Sequence, residues 1–159
     1  MGYSLSNIEI DNHFRKGPYA ALYGGTFSKD RLPKGGPAGK CYIINIQSFD
    51  QGDRAGSHWV ALCDVAIPDS NRDACIYYDP YSVAVPPLVL DFMSKSKLPT
   101  VRTVDEHQPI DSTACGWYCI RVLEGILSST PYDEIFDGIL RDEDYIYNEK
   151  SVRKLKLRK

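Results

Sequence analysis

The chain has 159 residues and a formal net charge of −2, with 43% apolar and 25% charged side chains, the balance of an ordinary globular protein rather than a disordered or fibrous one. A single domain spanning 1–159 is expected, large enough to bury a core without staples. No stretch approaches the roughly 18 apolar residues of a membrane span, and the first residues lack a basic-then-apolar leader, so neither a membrane nor a secreted protein is expected. Five cysteines without a C-x-x-C pair argue against a disulfide framework and for a reducing compartment. Zinc is a poorer reading, because Cys115 and Cys119 lie one helical turn apart but no paired metal-ligand spacing is present.

Residues 1–39 are rich in Gly, Pro and polar groups. An apolar pattern at Leu5, Ile8, Ile10 and Phe14 predicts a short helix, followed by loop through Gly17-Pro18, Gly24-Gly25 and Gly35-Gly36-Pro37. A loop of this length suggests a wrap around a functional face. Residues 40–49 and 57–67 read as strands joined by a turn-rich connection, hence an antiparallel hairpin. A third strand covers 74–79, a helix with proline in its first turn 86–97, and a fourth strand 99–104. Apolar positions 115, 118, 119, 122, 123, 126 and 127 keep helical spacing, so 115–127 is a helix with one buried face. A further helix is predicted over 131–140. From Lys150 the chain holds six basic and no acidic residues, a tail (150–159) suited to nucleic acid or another anionic partner, or else a solvated, fraying end. The sum is an α+β domain, a mainly antiparallel central sheet flanked by helices.

The chemistry concentrates on a few residues. Ser112 and Thr113 are suited to cap a helix that starts at Cys115, and Gly116 would leave bare backbone beside the sulfur. A helix N-terminus favours thiolate over thiol, and a neighbouring imidazolium favours it further. Cys41, Cys63 and Cys75 lie within apolar strand runs where burial suppresses reactivity, and Cys119 belongs to the buried helix face. His58 opens the second strand and Asp79 closes the third, just before Pro80. If those strands are neighbours, both side chains share one end of the sheet, as a base and its orienting acid must. His13 reads as structural or surface, and His107 as a rival base held by a loop. Gln108, seven residues before Cys115, is a candidate oxyanion donor.

The ordered set His58-Trp59, Asp79-Pro80-Tyr81, Gln108 and Ala114-Cys115-Gly116 resembles the adenovirus-type cysteine protease family (adenain), itself similar to the SUMO-deconjugating proteases. Gly17-Pro18-Tyr19 and Gly25-Thr26-Phe27 are similar to a further segment of that family, so the resemblance runs from about residue 17 to 127. It implies an adenain/SUMO-protease-like fold with the nucleophile at the start of a buried helix. It also implies His58 as base, Asp79 as orienting acid, Cys115 as nucleophile and Gln108 as oxyanion donor. Trp59 and Gly116 would border the substrate, with burial of Trp59 in the sheet an equal alternative. The implied activity is a cysteine endopeptidase cutting viral precursor or capsid proteins near glycine during virion maturation. A monomer and a location in the virion or in host cytoplasm or nucleus complete that expectation; no cofactor is expected, because the family's activating peptide and DNA act on surfaces that a chain this short after the catalytic helix is not expected to carry. The chain is shorter than the adenovirus enzyme after the catalytic helix and closer in size to maturation proteases of virophages and related double-stranded DNA viruses. Alternatives are a deconjugating protease for ubiquitin-like proteins and a non-enzymatic DNA- or capsid-binding module.

Overall fold

The computed structural model describes residues 4–47, 58–65, 73–109, 112–128, 130, 134, 140 and 144–158. Helix α1 spans Asn7–Arg15, and its start is written in the sequence as Ser6-x-x-Glu9. The Ser6 hydroxyl accepts from the Glu9 N–H, and the Glu9 carboxylate accepts from the Ser6 N–H, a reciprocal capping box. Five strands follow: β1 (Tyr23–Ser28), β2 (Cys41–Asn45), β3 (Trp59–Cys63), β4 (Cys75–Tyr78) and β5 (Thr100–Arg102). Helix α2 (Pro87–Ser94) lies between β4 and β5, then come α3 (Cys115–Leu127) and α4 (Tyr145–Arg153).

The strands form one sheet in sequence order, β1-β2-β3-β4-β5. The β2–β3 pair is antiparallel, as the hairpin reading expected, and so is β3–β4, while β1–β2 and β4–β5 are parallel. A parallel neighbour needs a crossover, which α2 supplies between β4 and β5. Strand β1 falls within the stretch read as loop. Its glycines hid it: a Cβ on Gly24 would run into the Tyr42 ring, and Gly25 sits at φ +141° where the register to β2 slips. Glycine there permits close approach at the cost of strand propensity, so the sequence signal points to a turn.

Alternate residues divide between two apolar layers. Cys41, Ile43, Trp59, Ala61, Cys63, Ile76 and Tyr78 pack with α1, α3 and Val152 of α4. Tyr42, Ile44, Val60, Leu62, Cys75 and Tyr77 pack on the other face against Val89, Phe92 and Met93 of α2. Burial on both faces explains why β2–β4 read as continuous apolar runs rather than alternating ones. The expected α+β class, with Cys115 opening a buried helix, is what the structure has. The helix expected over 131–140 falls almost wholly outside the described residues.

Beyond α4 the tail does not splay into solvent. Leu155 and Leu157 pack against the core, and the Arg158 guanidinium donates to Glu124 Oε2 at 3.2 Å. His13, predicted structural or surface, is a buried side chain of α1 whose Nε2 meets Glu124 Oε1 at 2.9 Å.

Candidate active site

Antiparallel pairing of β3 with β4 matches Ala61 to Tyr78, so the residue before β3 and the residue after β4 emerge at the same end of the sheet. There His58 Nε2 donates to Asp79 Oδ1 at 2.7 Å. Asp79 is 1% exposed, and its carboxylate also accepts backbone N–H groups from Tyr81 (2.8 Å) and Val83 (3.3 Å). The Asp-Pro corner thus wraps its backbone around the carboxylate and aims one oxygen at the imidazole.

Helix α3 brings the thiol to this corner. Cys115 is its first residue, at the positive end of the helix dipole, and Cys115 Sγ accepts from the Trp59 backbone N–H at 3.4 Å. One turn on, the Cys119 thiol donates to the Trp59 carbonyl at 3.2 Å. Both polar backbone groups of the residue next to His58 are therefore tied to α3, which holds the Cys115 sulfur beside the imidazole. His58 Nδ1 is buried, and with Nε2 given to Asp79 it is the ring nitrogen left for Cys115. Burial opposes the imidazolium, but the Asp79 hydrogen bond, interaction with Cys115 and both charges outweigh it, and the pKa is pushed up to about 9. At neutral pH the ring is a cation beside the sulfur.

The remaining thiols behave differently. Hydrogen bonding to Cys63, with sulfurs 3.0 Å apart, and then burial push Cys41 well up. Burial does the same for Cys119, and burial with the nearby Asp64 carboxylate raises Cys75 to about 12. Among the described residues no group of three or more His, Cys, Asp or Glu could hold a metal ion. His107 is fully buried, with Nδ1 bound to the Tyr78 hydroxyl at 2.8 Å, facing the core rather than Cys115.

Gln108 is also fully buried, and its Nε2 donates to the Ser112 carbonyl at 3.0 Å. That bond uses one amide hydrogen and leaves a second for another acceptor. Three expectations change in detail. The cap residue of α3 is Ala114 with no side-chain cap; the Ser112 hydroxyl accepts from the Ala114 N–H and shapes the approach loop instead. Cys115 is only 3% exposed, so its sulfur is buried rather than displayed. Trp59 and Gly116 are buried against the N-terminal segment: Trp59 Nε1 donates to the Leu5 carbonyl at 3.1 Å, and a Cβ on Gly116 would lie 3.2 Å from Leu5 Cδ1. The glycine serves close packing and does not leave bare backbone beside the sulfur.

Sequence reasoning assigned no role to Tyr81. Its ring stacks on the His58 imidazole, with centroids 4.6 Å apart and planes at 27°, and its hydroxyl donates to the Ser112 carbonyl at 2.8 Å. The signal available was an aromatic residue directly after Asp79-Pro80.

Comparison with known proteins agrees with this arrangement at the level of fold. No protein-family model matches the chain, and no curated protein sequence matches it. Among solved structures, the crystal structure of the ASFV pS273R protease superposes with a TM-score of 0.67 at 15% identity, covering 98% of this chain and 68% of that one. Its selenomethionine form gives 0.62 at 16% identity, covering 98% and 69%. The chain therefore has the fold of a viral protease. The likeness extends over nearly its whole length without singling out the adenovirus type.

Proposed function

We propose that the chain is a cysteine endopeptidase in which His58, Asp79 and Cys115 form the catalytic triad. The observation that carries this reading is the His58–Asp79 bond of 2.7 Å, with Nδ1 left for a thiol at the start of α3. Asp79 holds the ring orientation and stabilises the imidazolium that carries the proton given up by Cys115 when the sulfur attacks. The sulfur attacks the scissile carbonyl carbon, and the bond electrons collect on its oxygen. The second amide hydrogen of Gln108 and the backbone at Cys115 receive that charge, each such donor being worth about 10² to 10³ in rate. Collapse breaks the C–N bond, and the His58 Nδ1 proton goes to the leaving amine. Water, its proton taken by the now neutral imidazole, then attacks the thioester carbonyl, and breaking of the C–S bond frees the acid and returns the sulfur to its place beside the imidazolium.

The fold likeness to a viral protease and the ordered resemblance to the adenovirus-type family support viral precursor or capsid proteins as substrates, cut during maturation in the virion or the infected cell. The near-complete burial of Cys115 supports an extended segment with small side chains, such as glycine, at the cleavage point. The test is a digest of candidate viral structural proteins read by mass spectrometry. Cleavage is expected with the wild-type chain and none with Cys115→Ala, which should fold normally. Cleavage that survives Cys115→Ala, or labelling of Cys41 in place of Cys115 by a thiol-reactive peptide, would refute the assignment. Reaction with a ubiquitin-like vinyl sulfone in preference to such substrates would point to deconjugation.

A further inference from the structure

The chemistry above needs two segments in register: the corner bearing Asp79 and the loop running from Gln108 into Cys115. Two backbone bonds join them, both to the Pro80 carbonyl, which accepts from the N–H of His107 at 2.9 Å and of Gln108 at 3.1 Å. The third tie is a side chain. The Tyr81 hydroxyl donates to the Ser112 carbonyl at 2.8 Å, and that same oxygen accepts from Gln108 Nε2 at 3.0 Å. A carbonyl has lone pairs for both donors, so the two side chains share one anchor. At its other end, the Tyr81 backbone N–H donates to Asp79 Oδ1, the oxygen that also accepts from His58. Its ring covers the imidazole face.

One residue thus touches the base, the acid and the carbonyl that holds the oxyanion donor. A phenylalanine would supply the ring and the backbone bond but not the hydroxyl. We propose that Tyr81 is a positioning residue: its ring holds the His58 imidazole, and its hydroxyl, through the Ser112 carbonyl, fixes the place from which Gln108 donates. The proposal rests on the triad reading and extends it. An aromatic face over an imidazolium favours the cation, and small displacements of a donor weaken catalysis steeply.

Two probes separate the two halves of the role in the 159-residue chain. Alkylation by iodoacetamide reports the thiolate–imidazolium pair and needs no oxyanion donor. Acylation by p-nitrophenyl acetate needs one. Tyr81→Phe should leave alkylation and its pH profile within twofold of wild type, while acylation slows by about tenfold, part of what losing a whole donor costs. Adding Gln108→Ala to Tyr81→Phe should slow acylation no further than Gln108→Ala does alone. Tyr81→Leu should show the same acylation loss and move the alkaline limb of the alkylation profile down by about half a pH unit. Acylation within twofold of wild type in Tyr81→Phe overturns the proposal. So does a loss that multiplies fully with that of Gln108→Ala, or one matched by an equal loss of alkylation as the folded fraction falls. A wild-type chain whose Cys115 reacts with neither probe sinks the protease reading, and this proposal with it, before any Tyr81 variant is made.

Discussion

At the scale of single residues, the His58–Asp79 pair decides the electrostatics. The folded-state pKa of His58 lies at about 9, above its ordinary value, so the stabilisation it brings is complete below about pH 6.5 and is lost as pH rises through 9. Thermal midpoints of the wild type should therefore decline between those limits, and Asp79→Asn should flatten that decline. A decline of equal slope in the variant would show that another group titrates. Turnover should follow the same limb, falling as pH passes about 9 and His58 loses its proton. In peptide cleavage, His58→Ala should cost more than Asp79→Asn, because the first removes the proton carrier and the second only its orienter; the reverse ranking would give Asp79 a larger part. Cys115, His58 and Asp79 stood out as candidates because each stands at an element boundary, where local pattern sets direction, whereas Gln108 lies within the loop before α3 and was singled out by its spacing to Cys115 and the family resemblance. Tyr81 was not, since its stacking partner comes from another strand and no local rule links the two.

At the scale of elements, α3 is held at its start by the N-terminal segment. Leu5 is 3% exposed and packs beside Gly116 and Trp59, under the turn that carries Cys115. Leu5→Ala should cost about 2–4 kcal/mol in urea unfolding, the range for a buried leucine. It should also slow alkylation of Cys115, while a variant such as Ile8→Ala, at an exposed position of α1, should do neither. Helix α3 itself was readable to the residue, because thirteen positions of 3.6-residue periodicity leave little choice. Strand β1 was not, because its two glycines answer to the Tyr42 ring and to a register slip, both set by β2. The covering of Trp59 and Gly116 was invisible for the same reason: Leu5 is remote in sequence.

At the scale of the whole molecule, the basic end of the chain closes the layer formed by α1 and α3. Burial works against the Glu124 carboxylate, but hydrogen bonds and charge from His13 and then Arg158 lower its pKa below the usual value. Its contribution is therefore present above the ordinary glutamate range and lost as pH falls through the lowered value. Arg158→Ala should cost only about 0.5–1 kcal/mol, since both partners are partly exposed and screened. Removing residues 155–158 should cost about 2 kcal/mol more through the lost burial of Leu155 and Leu157, read as a lower thermal midpoint. An unchanged midpoint would return the tail to a solvated end. By itself the sequence determined the α+β class, the helix that Cys115 opens and the side chains proposed for the site, because periodicity, strand ends and residue chemistry are local properties. Only the tertiary structure decided which imidazole nitrogen faces the sulfur, which aromatic ring steadies it, what covers the start of α3 and where the basic tail lies. Those depend on contacts between segments far apart in the chain, which no local pattern encodes.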